Sequence, residues 1–422
     1  MNAPVLSLAL KSAFNRRLTA ILTIIAVALS VSLFVGVEKM REGARAGFER
    51  TISGTDLIVG ARTGPVNLLL YTVFRIGDPT SSISWDSYQE FADRPEIAWT
   101  IPISLGDAHK GYRVLGSDQN YFEHYQYGGG SRLEMAAGDP YSGVYDAVLG
   151  AAVARELDYE LGEEITLSHG IGEVGFHDHD NRPFKVTGIL QPTGTPVDRT
   201  VHITLQGMEA IHVGWESGAP SALARAASAE DVASMPLRTD EITAFFVGLE
   251  SKGAMLSLRR EINTYEGEPL LAVVPGLALN QLWSVIGTVE RVLGAISVFV
   301  VFVGLLTILT SILTTLNERR REMAILRSVG ARPWHIFALL VSEAAGLAFI
   351  GAALGVVLVH GAMAVLAPLA ESRLGLALMG LGPSLFEIYV ILAVTAASAL
   401  LGVIPAWRAF RNSLADGLSI RL

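Results

Sequence analysis

Four apolar stretches, each long enough to cross a bilayer, decide what this chain can fold into. They are Leu18–Val37, Val292–Leu316, a run from about Phe337 to Ala367, and Ile388–Trp407. The third is interrupted only by Glu343 and His360; the other three carry no charged residue. About 20 predominantly apolar residues suffice to span the hydrocarbon core. In that medium every backbone N–H and C=O has to be satisfied within the segment, which for one isolated run means a helix. Between the first and second stretches lie some 250 residues of ordinary globular composition. The pattern predicts four transmembrane α-helices with a large mixed α/β extracytoplasmic domain between helices one and two.

Charge sets the expected orientation, because Lys and Arg near helix ends stay on the cytoplasmic side. Lys11, Arg16 and Arg17 precede the first run. Arg319, Arg320, Arg321, Arg327 and Arg332 fill the connection between the second and third, and Arg408, Arg411 and Arg421 follow the fourth. The connection between the third and fourth has only Arg373. Both termini and the 317–335 connection are therefore expected inside, and the large domain outside. From Glu38 to Arg291 there are 20 basic and 35 acidic residues, a net −15, whereas the remainder is net +6. An acidic exterior domain argues against nucleic acid as a partner. The chain has no cysteine, so thiolate metal sites and thiol catalysis are excluded, and the exterior domain rests on its apolar core. The first apolar run is about twice a signal-peptide core in length, so it reads as an uncleaved membrane helix.

The expected organisation follows. Residues 1–17 form a cytoplasmic amphipathic segment, 18–37 the first span, and 38–291 the exterior α/β domain with helical stalks at either end. Residues 292–316 form the second span, 317–335 a cytoplasmic loop, 336–368 the third span, 369–385 a short external loop, 386–407 the fourth span and 408–422 a tail. Within the exterior domain, short β-rich runs with Gly/Pro punctuation predict strands at 57–60, 113–116, 147–149, 165–168, 184–190, 201–204 and 244–248. Helices are expected at 84–93, 151–157, 205–212 and 252–264. In the third span Gly351 and Gly355 stand in a GxxxG spacing, as do Ser32 and Gly36 in the first. Such small residues let membrane helices approach closely.

Several of these residues resemble one known family. Leu8-Ala9-Leu10-Lys11 with Arg16-Arg17-Leu18, the loop from Arg320 to Ala331, Glu343, and Ile404-Pro405-Ala406-Trp407-Arg408-Ala409 are similar to the corresponding segments of FtsX-like ABC transporter permeases of the MacB type, the type VII or mechanotransmission class. In the exterior domain, Ala147–Ala154, Leu161–Ile165 and Phe184–Leu190 resemble the MacB-type periplasmic domain. The resemblance implies that Glu318, Arg319, Arg320, Arg321, Glu322, Met323, Leu326, Arg327 and Gly330 belong to a coupling helix that touches a cytosolic ATPase. On a helix, Met323, Leu326 and Gly330 would share one side. The chain has no Gly-x-x-x-x-Gly-Lys-Ser/Thr run, so it cannot cradle a nucleotide by that loop. ATP is then bound and hydrolysed by a partner ABC ATPase dimer, and this chain binds no cofactor directly. A second permease chain in a homodimer, a periplasmic protein and the lipid bilayer complete the expected partners, in a bacterial inner membrane.

A separate chemical signal lies between two predicted strands, where His169, Glu173, His177, His179 and Asp180 crowd together. In an extended segment His177 and His179 point the same way. With His169 and Asp180 they offer an N/O set suited to zinc or another transition metal. A solvated polar loop has the same composition, and His202 and His212 read as ordinary strand and helix positions. The function these features imply is a non-catalytic permease subunit coupling ATP hydrolysis to movements of the periplasmic domain, in metal-linked transport or efflux. The alternative is lipoprotein or lipid extraction, or signalling to a periplasmic partner without transport.

Overall fold

A computed structural model of the chain describes residues 17–169, 182–215, 221, 227–318, 323, 325, 327–328, 330–374 and 382–411. In chain order the elements are α1 (Arg17–Arg50), β1 (Leu57–Ala61), α2 (Pro65–Thr72), β2 (Ile83–Ser84), α3 (Trp85–Ala92), β3 (Ile97–His109) and β4 (Tyr112–Ser117). Then follow α4 (Asn120–His124), β5 (Gln126–Tyr127), β6 (Ser131–Arg132), β7 (Met135–Gly138), β8 (Asp146–Leu149), α5 (Ala151–Leu157), β9 (Glu164–Ile165), β10 (Ser168–His169) and β11 (Phe184–Leu190). The chain continues through β12 (Thr200–Thr204), α6 (Leu205–His212), α7 (Ala229–Ala233), β13 (Glu241–Ile242), β14 (Ala244–Leu249), α8 (Met255–Asn263), β15 (Leu270–Val273), α9 (Pro275–Glu318), α10 (Pro333–Leu374) and α11 (Leu385–Arg411).

These elements form two compact units, one of Met1–Gly43, Gly287–Ala367 and Gly380–Leu422, the other of Ala44–Ile286 and Pro368–Met379. Arg17–Arg50, Pro275–Leu316, Pro333–Ala370 and Leu385–Ala409 are long and apolar enough to cross a membrane. The helices exceed the apolar runs: α9 begins at Pro275, a residue favoured at a helix start because its missing N–H would be unpaired there anyway. Helix α10 runs through Pro368 to Leu374, beyond residue 368, where the third span was expected to end.

In the membrane unit the four helices meet along a stripe of aliphatic and small residues. Val27, Val31 and Val35 of α1 pack with Ile308, Ile312 and Leu316 of α9, with Leu340, Ala344, Ala348 and Ala352 of α10, and with Val390 and Val394 of α11. Close approach is possible because the contact positions lack bulk. A Cβ on Gly351 would lie 2.7 Å from Val27 Cβ, and one on Gly355 would lie 2.6 Å from the carbonyl of Ala28. The GxxxG pair therefore seats α10 on α1. Hydroxyls add directional contacts: Thr23 Oγ1 donates to Ser311 Oγ at 3.2 Å and Ser398 Oγ to the Ala344 carbonyl at 2.9 Å.

In the exterior unit a mixed sheet of 11 strands runs in the order β15-β1-β14-β3-β4-β12-β8-β11-β7, with β10 on β3 and β9 on β11. Strand β3 holds the two halves together. Ile97–Ile103 pairs with β14, and Ser104–His109 pairs with β4. No strand was expected here from the sequence, and Pro102 and Gly106 are residues that strand interiors disfavour. Pro102 is accommodated where β3 changes partner, and its carbonyl accepts from Ser117 Oγ at 2.7 Å. The apolar residues on the sheet and its covering helices form three main clusters, around Ile58 and Phe246, around Leu57 and Phe245, and around Val114 and Phe184. The alternation of Phe245 and Phe246 between two clusters follows from successive strand side chains pointing to opposite faces.

Candidate functional sites

The segment between α9 and α10 is described in part. Glu318 closes α9, whereas Arg319, Arg320, Arg321, Glu322 and Leu326 lie outside the described residues, as does the side chain of Glu318. Met323 is 9% exposed and belongs to the apolar cluster of the membrane unit with Leu316, Ile336 and Ala406. Ile325, two residues on and so on the opposite side of a helical turn, is 54% exposed. Gly330 corrects the expected helical stripe. It lies in a turn with φ +100°, and its N–H donates to the Arg327 carbonyl at 3.1 Å. A residue in that conformation ends a helix rather than extending its face, which is why glycine occupies it. Arg332 N–H then donates to His335 Nδ1 at 3.1 Å, three residues along at the start of α10.

The membrane unit holds a charge cluster that periodicity does not reveal. Lys39 Nζ is 2.7 Å from Glu387 Oε1, and it donates a hydrogen bond to the Gly382 carbonyl at 2.7 Å. His360 Nε2 is 3.1 Å from Glu387 Oε2. The side chains of Lys39 and Glu387 are 3% and 5% exposed. His360 is thus paired with a carboxylate from α11. The sequence signal was the ionisable group itself, since such groups within apolar spans are costly and face partners; what it lacked was the identity of the partner.

In the exterior unit, His177, His179 and Asp180 lie outside the described residues, as does the side chain of His169. The backbone of His169 ends β10, in register with Asp107 of β3. Among the described residues no group of three or more metal-ligating side chains converges. His202 is a core residue: it is fully buried, its ring lies 5.1 Å from that of Tyr121, and burial, aided by Arg75, pushes its pKa down to about 3, so it is neutral. His109 has both ring nitrogens engaged, Nδ1 with the Thr166 carbonyl at 2.6 Å and Nε2 with Tyr159 OH at 3.0 Å. His212 behaves differently. Its Nδ1 is 2.7 Å from the Met208 carbonyl, and its Nε2 is 3.4 Å from Oδ2 of the fully buried Asp107.

A cavity of about 540 Å³ opens between the start of α3, the start of α6 and residues 237–240, lined by Trp85, Gln89, Gln206, Arg238 and Asp240 among others. Glu209, on α6, has its carboxyl pushed up to about 7 by burial, then by Asp240 and Glu241.

Two family models match the chain. Residues 20–241 match the MacB-like periplasmic core domain, and residues 294–414 match the FtsX-like permease C-terminal family. The chain is 24% identical over 349 residues to the pyoverdine export ATP-binding/permease protein PvdT of Pseudomonas syringae pv. tomato, covering 79% of this chain and 48% of that protein. It is 22% identical over 359 residues to the macrolide export ATP-binding/permease protein MacB of Azoarcus sp., covering 82% of this chain and 50% of that protein. The chain thus spans about half the length of the relatives it matches. Among solved structures, the periplasmic region of MacB from Actinobacillus actinomycetemcomitans aligns with a TM-score of 0.33 at 11% identity, over 55% of this chain and 94% of that one. The extracellular domain of the noncanonic ABC-type transporter YknZ from Gram-positive bacteria aligns with a TM-score of 0.30 at 12% identity, over 52% of this chain and 99% of that one. The core-domain match alone takes in residues 20–241 of 422, and with the permease match that follows it the chain belongs to the FtsX-like permeases that carry a MacB-like periplasmic core domain.

Proposed function

We propose that this chain is the membrane subunit of an ABC exporter, in which a separate cytosolic ATPase dimer drives movements of the periplasmic domain. The observation that carries this reading is the join of a MacB-like core domain to an FtsX-like permease end, with a basic segment placed between α9 and α10. The curated relatives named above are ATP-binding/permease proteins for export. The distribution of Lys and Arg supports both termini and the 317–335 segment on the cytoplasmic side of a bacterial inner membrane. Four spans per chain support a homodimer as the working unit. In this reading Glu318, Arg319, Arg320, Arg321, Glu322, Met323, Leu326 and Arg327 present the coupling surface, anchored from within by Met323 and terminated by Gly330. His169, His177, His179 and Asp180 give the exporter a metal-linked form.

The test is reconstitution with the cognate ATPase in nanodiscs. Glu322→Ala is expected to leave membrane insertion and assembly with the ATPase intact, while ATP hydrolysis no longer responds to the permease. A Glu322→Ala chain that stimulates hydrolysis and supports export like the wild type refutes the coupling assignment.

A further inference from the structure

We infer that the cavity between α3, α6 and residues 237–240 is a binding site for a neutral polyhydroxylated ligand, a sugar or short glycan. The first support is the balance of its polar side chains. Asp86 and Asp240 offer only acceptors, Arg238 offers only donors, and Gln89 and Gln206 offer both. An anion placed here meets two carboxylates, and a cation meets the guanidinium. A hydroxyl donates to the first and accepts from the second, so vicinal hydroxyls satisfy both kinds of group at once. Among the described residues, none of these five side chains is engaged in a hydrogen bond or ion pair, so each is open to a ligand. The second support is the aromatic surface beside them. Trp85 is half-buried, its ring packs on that of Tyr88 with centroids 4.7 Å apart, and it lines the cavity. A pyranose presents a face of C–H groups that an indole can cover while the hydroxyls at the ring edge reach polar groups. Trp85 and Gln89 stand at i and i+4 on α3, which puts the indole and an amide on one side of that helix. The volume of about 540 Å³ falls within the roughly 300–1,000 Å³ of small-molecule sites.

The walls are held in place by the chain itself. Ser84 caps α3, its Oγ accepting from Ser87 N–H at 3.3 Å, and Ser84 N–H donates to Glu268 Oε1 at 3.1 Å. Trp85 N–H donates to the Asp240 carbonyl at 2.8 Å, and β2 pairs with β13 through Ile83 and Ile242. The start of α6 is fixed by its Thr204 cap. Walls set beforehand lose little freedom on binding. The five polar side chains are exposed, so the site is an open cleft, and weak, rapidly exchanging binding in the millimolar range is expected. The local field tells against an acidic sugar. Glu209, one turn along α6 from Gln206, has its carboxyl pushed up to about 7 by burial, then by Asp240 and Glu241, and an added acid group would meet the same repulsion. Peptide amides also donate and accept, and a peptide is one of the outcomes the test separates.

The inference stands apart from the export reading and is tested without the ATPase. The purified full-length chain is placed in phosphatidylcholine nanodiscs, because sugar-based detergents would compete. Glucose, N-acetylglucosamine, cellobiose, chitobiose and maltose are each titrated, read by saturation-transfer NMR and tryptophan fluorescence. Triglycine, spermidine and inorganic phosphate are titrated beside them. At least one of the sugars is expected to bind saturably at millimolar concentration. Gln89→Ala/Gln206→Ala and Arg238→Ala, all at exposed positions, are each expected to weaken that binding by about five-fold or more, as loss of a hydrogen bond does. Their unfolding temperatures should stay close to wild type. Trp85→Ala is expected to abolish the binding, and should that chain fail to fold, the exposed variants decide. The inference is overturned by the absence of saturable binding for every sugar, or by sugar binding unchanged in both exposed variants. It is equally overturned if triglycine, spermidine or phosphate, rather than a sugar, binds in a manner those variants weaken.

Discussion

Replacing Lys39 by Met should be among the most damaging single changes in the membrane unit. The substitution keeps length and volume but removes the charge that sits 2.7 Å from Glu387 Oε1. It also removes the donor to the Gly382 carbonyl. Glu387 would stay buried, with only His360 beside it at 3.1 Å. Breaking one side of a buried ion pair costs about 3–5 kcal/mol, because the remaining charge is desolvated without compensation. With His360 Nε2 against the other carboxylate oxygen, a loss of about 2–4 kcal/mol is expected. Neutralising both partners is a different perturbation. In Lys39→Met/Glu387→Gln no charge is stranded, and exchange of a whole buried pair is often neutral. The double variant should therefore recover most of the stability lost in the single one. The assay is a double-mutant cycle on the purified chain in a mild detergent, read by thermal and denaturant unfolding of the helical signal. A Lys39→Met chain within about 0.5 kcal/mol of wild type, or a double variant no better than the single, would refute the reasoning.

Two further outcomes follow from the geometry. Gly355→Val should disrupt the seating of α10 on α1, since even a Cβ there would lie 2.6 Å from the Ala28 carbonyl; overpacking of about 1–3 kcal/mol should show as a lower unfolding temperature, and a chain as stable as wild type would contradict the packing. Glu209→Gln should become stabilising, relative to wild type, as pH rises from about 4.3, the ordinary glutamate value, to about 7, where Glu209 ionises in the fold. The folded state holds the proton longer than the unfolded one across that window, so wild-type stability falls with pH there by about 1–3 kcal/mol; unfolding of both chains at the two ends of the window measures it, and a pH-independent difference would be evidence against a buried carboxyl.

Local energetics made much of the fold legible. A predominantly apolar run is solvated by lipid or by other helices whatever its neighbours, so the four spans could be recognised one at a time. The helix at Leu205–His212 and the strand at Phe184–Leu190 were readable for the same kind of reason. The helix begins at a capping residue, with Thr204 Oγ1 accepting from Gly207 N–H at 2.9 Å, and the strand's exposure alternates with the pleat. Strand β3 was hidden because propensity speaks against Pro102 and Gly106, and only pairing with two different neighbours makes a strand there favourable. Gly330 was visible as a residue and misread as a position, since its place in the apolar period does not reveal a positive φ.

The family could be read from contiguous residues, because a motif is a local pattern. Asp107 with His212, and Lys39 with His360 and Glu387, could not. Lys39 meets Gly382 across 343 positions of sequence, and His360 meets Glu387 across 27. The amino-acid order determined which segments are apolar, which are capped and where charge accumulates. Only the tertiary packing decided which buried charges neutralise one another and which ring nitrogen faces which carboxylate, because those energies depend on distances of a few ångströms between atoms that the chain itself holds far apart.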